Sequence, residues 1–446
     1  MKVSVTKTNL QNQQYWQENS LQVIEGFKEN DSICLYPQIK DQVFYGFGGA
    51  FTEASAFNWK KLSDLAKKDL MESYFGTTGL CYTLGRTHIN SCDFSLENYA
   101  CMEDEQDENL MSFQTLRDEQ YIMPMIQAAQ QVAGAPIELM LSPWSPPSFM
   151  KTNGKMTNGG KLKPEYGKRW AQCIARYVKA YQDKGFCIKN ITVQNEPDAV
   201  QPWDSCIYTA EEETQFAINF LLPALQKAIT QPVDVFIWDH NKDQLVTRLL
   251  NSTAALSQDG VIAGAAFHWY SGDHFEAVDM VHRLYPNIKL YFTEGCVEYS
   301  RFDGMTLLEK AEMYAHDIIG NLNAGTNAIL DWNLLLDEKG GPNYVGNFCE
   351  SPIMCSMGED TIEKKASYYY IGQFSRFIQP NSKRIGVSTC CKEIEATAFQ
   401  NLDCSIALIL LNTSSNDKSL HVRLNENSFT DLTVYAHEIA TLKIIP

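Results

Sequence analysis

The sequence is short of several things, and each shortage removes a class of protein. No run of 18 or more apolar residues occurs, so no transmembrane helix is expected. The opening MKVSVTKTNLQNQQYWQ is polar and lacks the apolar centre of a secretory signal, which points to a cytoplasmic chain or to export by a signal-independent route. Basic residues are scarce: 37 Lys and Arg stand against 54 Asp and Glu, for a net charge of −17. Such a surface repels phosphate backbones and anionic membranes, so nucleic acid is not an expected partner and a neutral substrate is. The glycines of GFGGAF (46–51) miss the G-x-G-x-x-G spacing, which removes a dinucleotide site. His268 and His274 have no partner at metal-ligand spacing, so neither a metal nor another cofactor is expected. Internal repeats and low-complexity stretches are also missing. The 13 cysteines are odd in number and scattered, with one adjacent pair at Cys390-Cys391 and no C-x-x-C. Reduced thiols, mostly small core residues, are the expectation. Nothing in the sequence sets an oligomeric state.

What is present suits a large core. Among 446 residues there are 21 Tyr, 22 Phe and 8 Trp. The length fits a barrel of roughly 250 residues or more with a smaller domain attached. Eight short apolar runs punctuate the middle of the chain: VFYGFGG (43–49), LCYTLGR (80–86), IELMLSPW (137–144), NITVQNEP (190–197), VDVFIWDH (233–240), IAGAAFHWY (262–270), KLYFTEG (289–295) and NAILDWN (327–333). Amphipathic stretches lie between them. Residues 165–185 carry apolar residues at helical spacing and end on a glycine, and 211–229 begin with acids in the first turn. Eight strand signals alternating with helices predict an α/β fold, a (β/α)₈ TIM barrel. The tail reads differently. CSIALILLN (404–412) and LTVYAHEI (432–439) are β-rich pieces between turn-like clusters, and KVSVT and SICLYP near the start are further strand candidates. An all-β sandwich built from both termini is predicted, with divisions at 1–42, 43–380 and 381–446.

In such a barrel the working residues sit where strands end. The fourth run ends in Asn195-Glu196 and the seventh in Thr293-Glu294-Gly295. The sixth ends in His268-Trp269-Tyr270, the third in Trp144, and the eighth in Trp332-Asn333. Thr52-Glu53 follow the first, and Arg86 ends the second. A lone glutamate at a strand end is most often a helix cap or a solvated acid. The six polar or aromatic endings besides Arg86 lie on one rim and are harder to explain as packing. Two carboxyl groups on facing strands are the minimum equipment for glycoside hydrolysis: one protonates the leaving oxygen, the other attacks the sugar carbon or activates water. Aromatic rings offer flat platforms for sugar faces, and amides and imidazoles offer directed hydrogen bonds. Packing readings stand beside these: the tryptophans as rim packing, His268 as a core histidine, Glu53 paired with Arg86, Cys296 as packing.

GFGGAFTEASA (46–56), LSPWSPPSFMKTNG (141–154), TVQNEP (192–197), FHWY (267–270), FTEG (292–295) and DWNLLLDEKGGPN (331–343) together resemble glycoside hydrolase family 30, in the bacterial branch of its glucosylceramidase-type members. The resemblance implies a retaining β-glycosidase with Glu196 as acid/base and Glu294 as nucleophile. It implies that Asn195 binds the hydroxyl next to the reacting carbon, and that Trp144, Glu53, Trp332 and Asn343 line the sugar site. His268 and Tyr270 match the pair beside the nucleophile. Apart from the resemblance, Arg86 and Glu53 could share one sugar hydroxyl network instead of pairing with each other. The substrate implied is a carbohydrate or glycolipid, most closely a glucosylceramide-type β-glucoside; β-1,6-glucan and β-xyloside fit the same motifs. A non-catalytic glycan-binding protein is the reading from a different class. Specificity for the leaving group is expected in loops such as 93–115, with CMEDEQDENL (101–110) a surface loop.

Overall fold

The computed structural model describes residues 1–252 and 261–446. Eight parallel strands close into a barrel: β1 (Gly46–Ala50), β2 (Leu84–Ile89), β3 (Glu138–Pro143), β4 (Cys187–Thr192), β5 (Asp234–Asn241), β6 (Gly264–His268), β7 (Lys289–Glu294) and β8 (Ala328–Asn333). They neighbour one another in chain order, and β8 closes onto β1 through Ala328 opposite Gly46. β1 passes very close to β2: a Cβ on Gly48 would lie 2.2 Å from the carbonyl oxygen of Leu84. Only glycine allows that approach.

The helices outside the barrel follow local chemistry. Thr209 and Thr306 open theirs with capping boxes, closed by Glu212 and Glu309. The stretch 165–185 forms a helix over Gly167–Asp183, followed by Gly185 at a φ of 85°. The stretch 211–229 is not one regular helix. It widens into a π-turn at Ala217–Leu221, immediately before Pro223, which has no N–H to give to the helix ladder.

The second unit is one ten-stranded ladder that folds over its own core and takes strands from both ends of the chain. Lys2–Asn9 pairs with Glu438–Ile445, and Ser32–Phe44 pairs with Ser382–Ser388. Ile406–Asn412 explains the unbroken apolar run of the tail. Its residues alternate between two cores: Ile406, Leu408 and Leu410 pack inside the sandwich, whereas Ala407, Ile409 and Leu411 pack against the barrel's helical layer. A strand buried on both faces has no polar side to show. Among the described residues no helix is long and apolar enough to cross a membrane.

Two of the predicted runs are cut differently. The run 43–49 splits at Tyr45, with Ser32–Phe44 in the sandwich and Gly46–Ala50 in the barrel. The run 190–197 stops pairing as a regular strand at Thr192, so Pro197 is not what ends it.

Candidate active site

Two bulges shape the C-terminal end of the barrel. Along β6, Ala266 faces Trp238 but Phe267 faces His240, so Asp239 is an extra residue on β5. On the other side, Phe267 faces Phe292 but His268 faces Glu294, so Thr293 is extra on β7. An extra residue bends the strand and re-aims the side chains that follow. Trp238 and Asp239 accordingly have positive φ, 76° and 53°. After β4 the chain stays tethered between its neighbours: the N–H of Asn195 donates to Pro143 of β3 and that of Glu196 to Asp239 of β5, at 2.8 and 3.0 Å. Glu196 itself sits at a φ of 48°, a left-handed conformation unusual for a glutamate and typical of over-determined functional positions.

Asp239 is the hub beneath the site. Its carboxylate accepts from Arg86 Nη2 (2.9 Å) and faces the hydroxyls of Ser142 (3.0 Å), Thr192 (2.7 Å) and Thr293 (2.6 Å). His268 Nε2 lies 3.1 Å from it. With so many donors its carboxyl is held far below the usual range despite complete burial; the cations Arg86 and His268 outweigh desolvation. Arg86 is equally buried. It donates to Glu294 Oε2 at 2.6 Å and to Asn195 Oδ1 at 2.7 Å. Because arginine only donates, Asn195 must turn its oxygen down and its NH₂ up into the cavity, ready for a hydroxyl oxygen.

The two glutamates face each other above this layer. Carboxylate oxygens of Glu196 and Glu294 and a ring nitrogen of His268 lie within 4.8 Å of one another. Glu294 accepts from Tyr270 Oη at 3.0 Å as well as from Arg86. Glu196 Oε1 lies 3.3 Å from His268 Nδ1 and 4.0 Å from His240 Nε2. Burial alone would lower the pKa of His268, but Glu294, Asp239 and Glu196 overcome it and push it up to about 9. Burial raises Glu294, opposed by His268 and Arg86, while His268 and His240 overcome burial and hold Glu196 down. Glu196 Oε1 and His268 Nδ1 thus face each other along a single contact, with the carboxyl held down and the imidazole pushed up by one another.

A cavity of about 410 Å³ opens over these groups. Of the residues singled out in the sequence, Glu196, Glu294, Asn195, Trp144, Trp332 and Tyr270 line it. The two tryptophans stack on each other, 5.3 Å between ring centroids, and Arg86 lies 4.8 Å from the ring of Trp144. Arg86 and His268 lie below the cavity and touch the glutamates rather than the opening. Arg86 is also not at a strand end: β2 continues past it to Ile89.

Two expectations fail. Glu53 is fully buried away from the cavity, ion-paired to Arg117 at 2.7 Å and accepting the N–H of Leu96 at 2.9 Å. It opens the helix Glu53–Lys61, so its side chain follows that helix and braces the segment after β2 instead of meeting Arg86. The carboxyl presented to the cavity from that side is Asp93. Burial pushes its pKa well up, and the nearby Glu294 adds to the rise. Asn343 likewise faces away. It donates to Asp93 at 3.1 Å and accepts the N–H groups of Val345 and Asn347, and Asn347 is the amide that lines the cavity.

The family model for the glycosyl hydrolase family 30 TIM-barrel domain matches residues 44–378, and that for the family's β-sandwich domain matches 381–442. The chain belongs to glycoside hydrolase family 30. The family 30 enzyme is 32% identical to the lysosomal acid glucosylceramidase of Mus musculus over 428 residues, 92% of this chain and 82% of the mouse protein. It is 28% identical to an endo-1,6-β-D-glucanase of Neurospora crassa over 358 residues, 77% of this chain and 72% of the fungal one. Among solved structures, SrfJ from Salmonella typhimurium superposes with a TM-score of 0.95 at 35% identity, with both chains covered in full.

Within this glycoside hydrolase, Asp239, His240, Asp93 and Asn347 belong to the site without being singled out by the sequence. Asp239 had a visible signal, since the fifth run ends in WDH like its neighbours. Asp93 and Asn347 lie in loops, where no periodicity marks an inward residue.

Proposed function

We propose that the enzyme is a retaining β-glycosidase acting on a glucosylceramide-type β-glucoside by double displacement. The observation that carries this is the spacing of the two glutamates. Carboxylate oxygens within 4.8 Å of one another fit the roughly 5–5.5 Å separation of retaining enzymes better than the about 6.5–9.5 Å of inverting ones.

In the first step Glu294 attacks the anomeric carbon as Glu196 protonates the leaving oxygen. Arg86 and Tyr270 fix the attacking carboxylate by binding both of its oxygens. The proton comes from the pair formed by Glu196 and His268, and passes to the carboxyl as the leaving oxygen draws it. In the second step Glu196 takes a proton from water, which displaces Glu294 and restores the β configuration. The Asn195 NH₂, fixed by Arg86, donates to the oxygen of the neighbouring hydroxyl and holds that hydroxyl in place through the reaction. Asp93 hydrogen-bonds a further hydroxyl, and Trp144 and Trp332 pack the sugar's apolar face.

The mouse relative supports the glucosylceramide-type substrate; the Neurospora crassa relative supports a second reading, cleavage of β-1,6-glucan. A panel of glucosylceramide, aryl β-glucosides, aryl β-xylosides and β-1,6-glucan oligomers, followed by NMR, separates them. Glucosylceramide turnover with β-glucose formed first is expected. An α product formed first would overturn retention, and turnover of the glucan alone would overturn the substrate. Tight glycan binding without turnover of any member would favour the binding-protein reading.

A further inference from the structure

Cys296 follows the Glu294-Gly295 turn, and its thiol meets that of Cys349 in the cavity wall, Sγ to Sγ 3.4 Å. The backbone explains the meeting. Val297–Glu298 pairs antiparallel with Cys349–Glu350, with Glu298 opposite Cys349. Cys296 lies just before this paired segment, which brings its chain alongside Cys349. A disulfide would require the sulfurs to close from 3.4 Å to about 2.05 Å. A shared soft cation asks for no such contraction. Two sulfurs each about 2.3 Å from a tetrahedral ion stand about 3.8 Å apart, a few tenths from the separation seen.

Asp93, Glu294 and Glu298 line the same cavity as the pair, and the Tyr270 hydroxyl lies 3.3 Å from Cys296 Sγ as an oxygen donor. Burial pushes the Cys296 thiol up, and a bound cation would offset that cost. We propose that Cys296 and Cys349 form a chelating dithiol for a thiophilic divalent cation, seated in the cavity wall beside Glu294. The two S–H bonds break, two metal–sulfur bonds form, and two protons leave to solvent, so the local charge is unchanged. An ion there occupies space next to Tyr270 and Glu294 and inhibits the enzyme; that consequence rests on the glycosidase reading, whereas binding does not.

Cd²⁺ is the probe. Exposed Cys390 and its half-buried neighbour Cys391 are first removed by Cys390→Ser and Cys391→Ser, and the protein is reduced with a phosphine that is then removed. Titration is followed by the ultraviolet thiolate-to-metal absorption and by equilibrium dialysis. One tightly bound ion is expected, with affinity falling at least tenfold in Cys296→Ser and in Cys349→Ser. Cd²⁺ should also shield both thiols from alkylation in the native protein, as read by peptide mapping, while Cys404 stays reactive; this arm needs no cysteine variant to fold. Inhibition of aryl β-glucoside turnover, normalised to each variant's own rate, should reverse with a chelator and vanish in both variants. Binding unchanged in both variants, confined to the Cys390-Cys391 pair, or absent would overturn the site. Binding without loss of turnover would overturn the inhibitory role.

Discussion

The guanidinium of Arg86 lies 2.6 Å from the carboxylate of Glu294, and both are buried in the barrel end. One cation thereby ties Glu294 to Asp239 and Asn195, and the three groups cannot be moved independently.

Arg86→Ala therefore strips two buried carboxylates of their fixed positive partner. Removing one member of a buried pair costs about 3–5 kcal/mol. Urea denaturation should show a loss of that size, and kcat should fall at least a hundredfold. Arg86→Lys should recover part of the stability and little of the activity, because an ammonium cannot span Glu294, Asn195 and Asp239 at once.

Activity should be bell-shaped in pH. The acid limb follows protonation of Glu294, whose pKa burial raises, so it should lie above the ordinary glutamate range. The basic limb follows loss of the proton from the contact between Glu196 and His268, near the His268 value of about 9. Asp239→Asn removes one of the carboxylates that raise His268, so the basic limb should move to lower pH while the acid limb moves less. A kcat/KM profile of both proteins checks this; an unmoved basic limb would detach His268 from that limb.

His268 also links pH to stability. A folded-state pKa above the usual 6.5 stabilises the fold fully below that value, and the contribution is lost as pH rises toward about 9. Denaturation midpoints should fall across that window in the parent enzyme and fall less in His268→Gln.

Glu53→Gln and Asp93→Asn should separate two acids that the sequence does not distinguish. Glu53 braces Arg117 and Leu96 outside the cavity, so its loss should cost about 1–3 kcal/mol of stability and leave KM nearly unchanged. Asp93 faces the cavity, so its amide should raise KM or lower kcat at least tenfold with little change in stability.

The barrel was legible because each of its strands is an apolar run bounded by turns, and the sandwich because its pieces are short, β-rich and set apart at the termini. Glu196, Glu294, Trp144 and Trp332 were legible as the last residues of such runs. The bulges were not. An extra residue at Asp239 or Thr293 leaves no mark on composition and only shifts the alternation by one, which a run of apolar residues conceals. Glu53 and Asn343 misled for a related reason. Each lies within a few residues of the rim in sequence, but a helix start turns one away and a tight turn at 343–347 puts Asn347 inward instead.

The role of Glu294 can be tested by trapping. A 2-deoxy-2-fluoro-β-glucosyl fluoride slows both steps but loses fluoride readily, so the glycosyl-enzyme accumulates. Peptide mapping by mass spectrometry should find one sugar per chain, on Glu294, with the adduct turning over slowly when an acceptor alcohol is added. An adduct on Glu196 or elsewhere, or steady turnover of the fluoride with no adduct and an α product, would contradict the account.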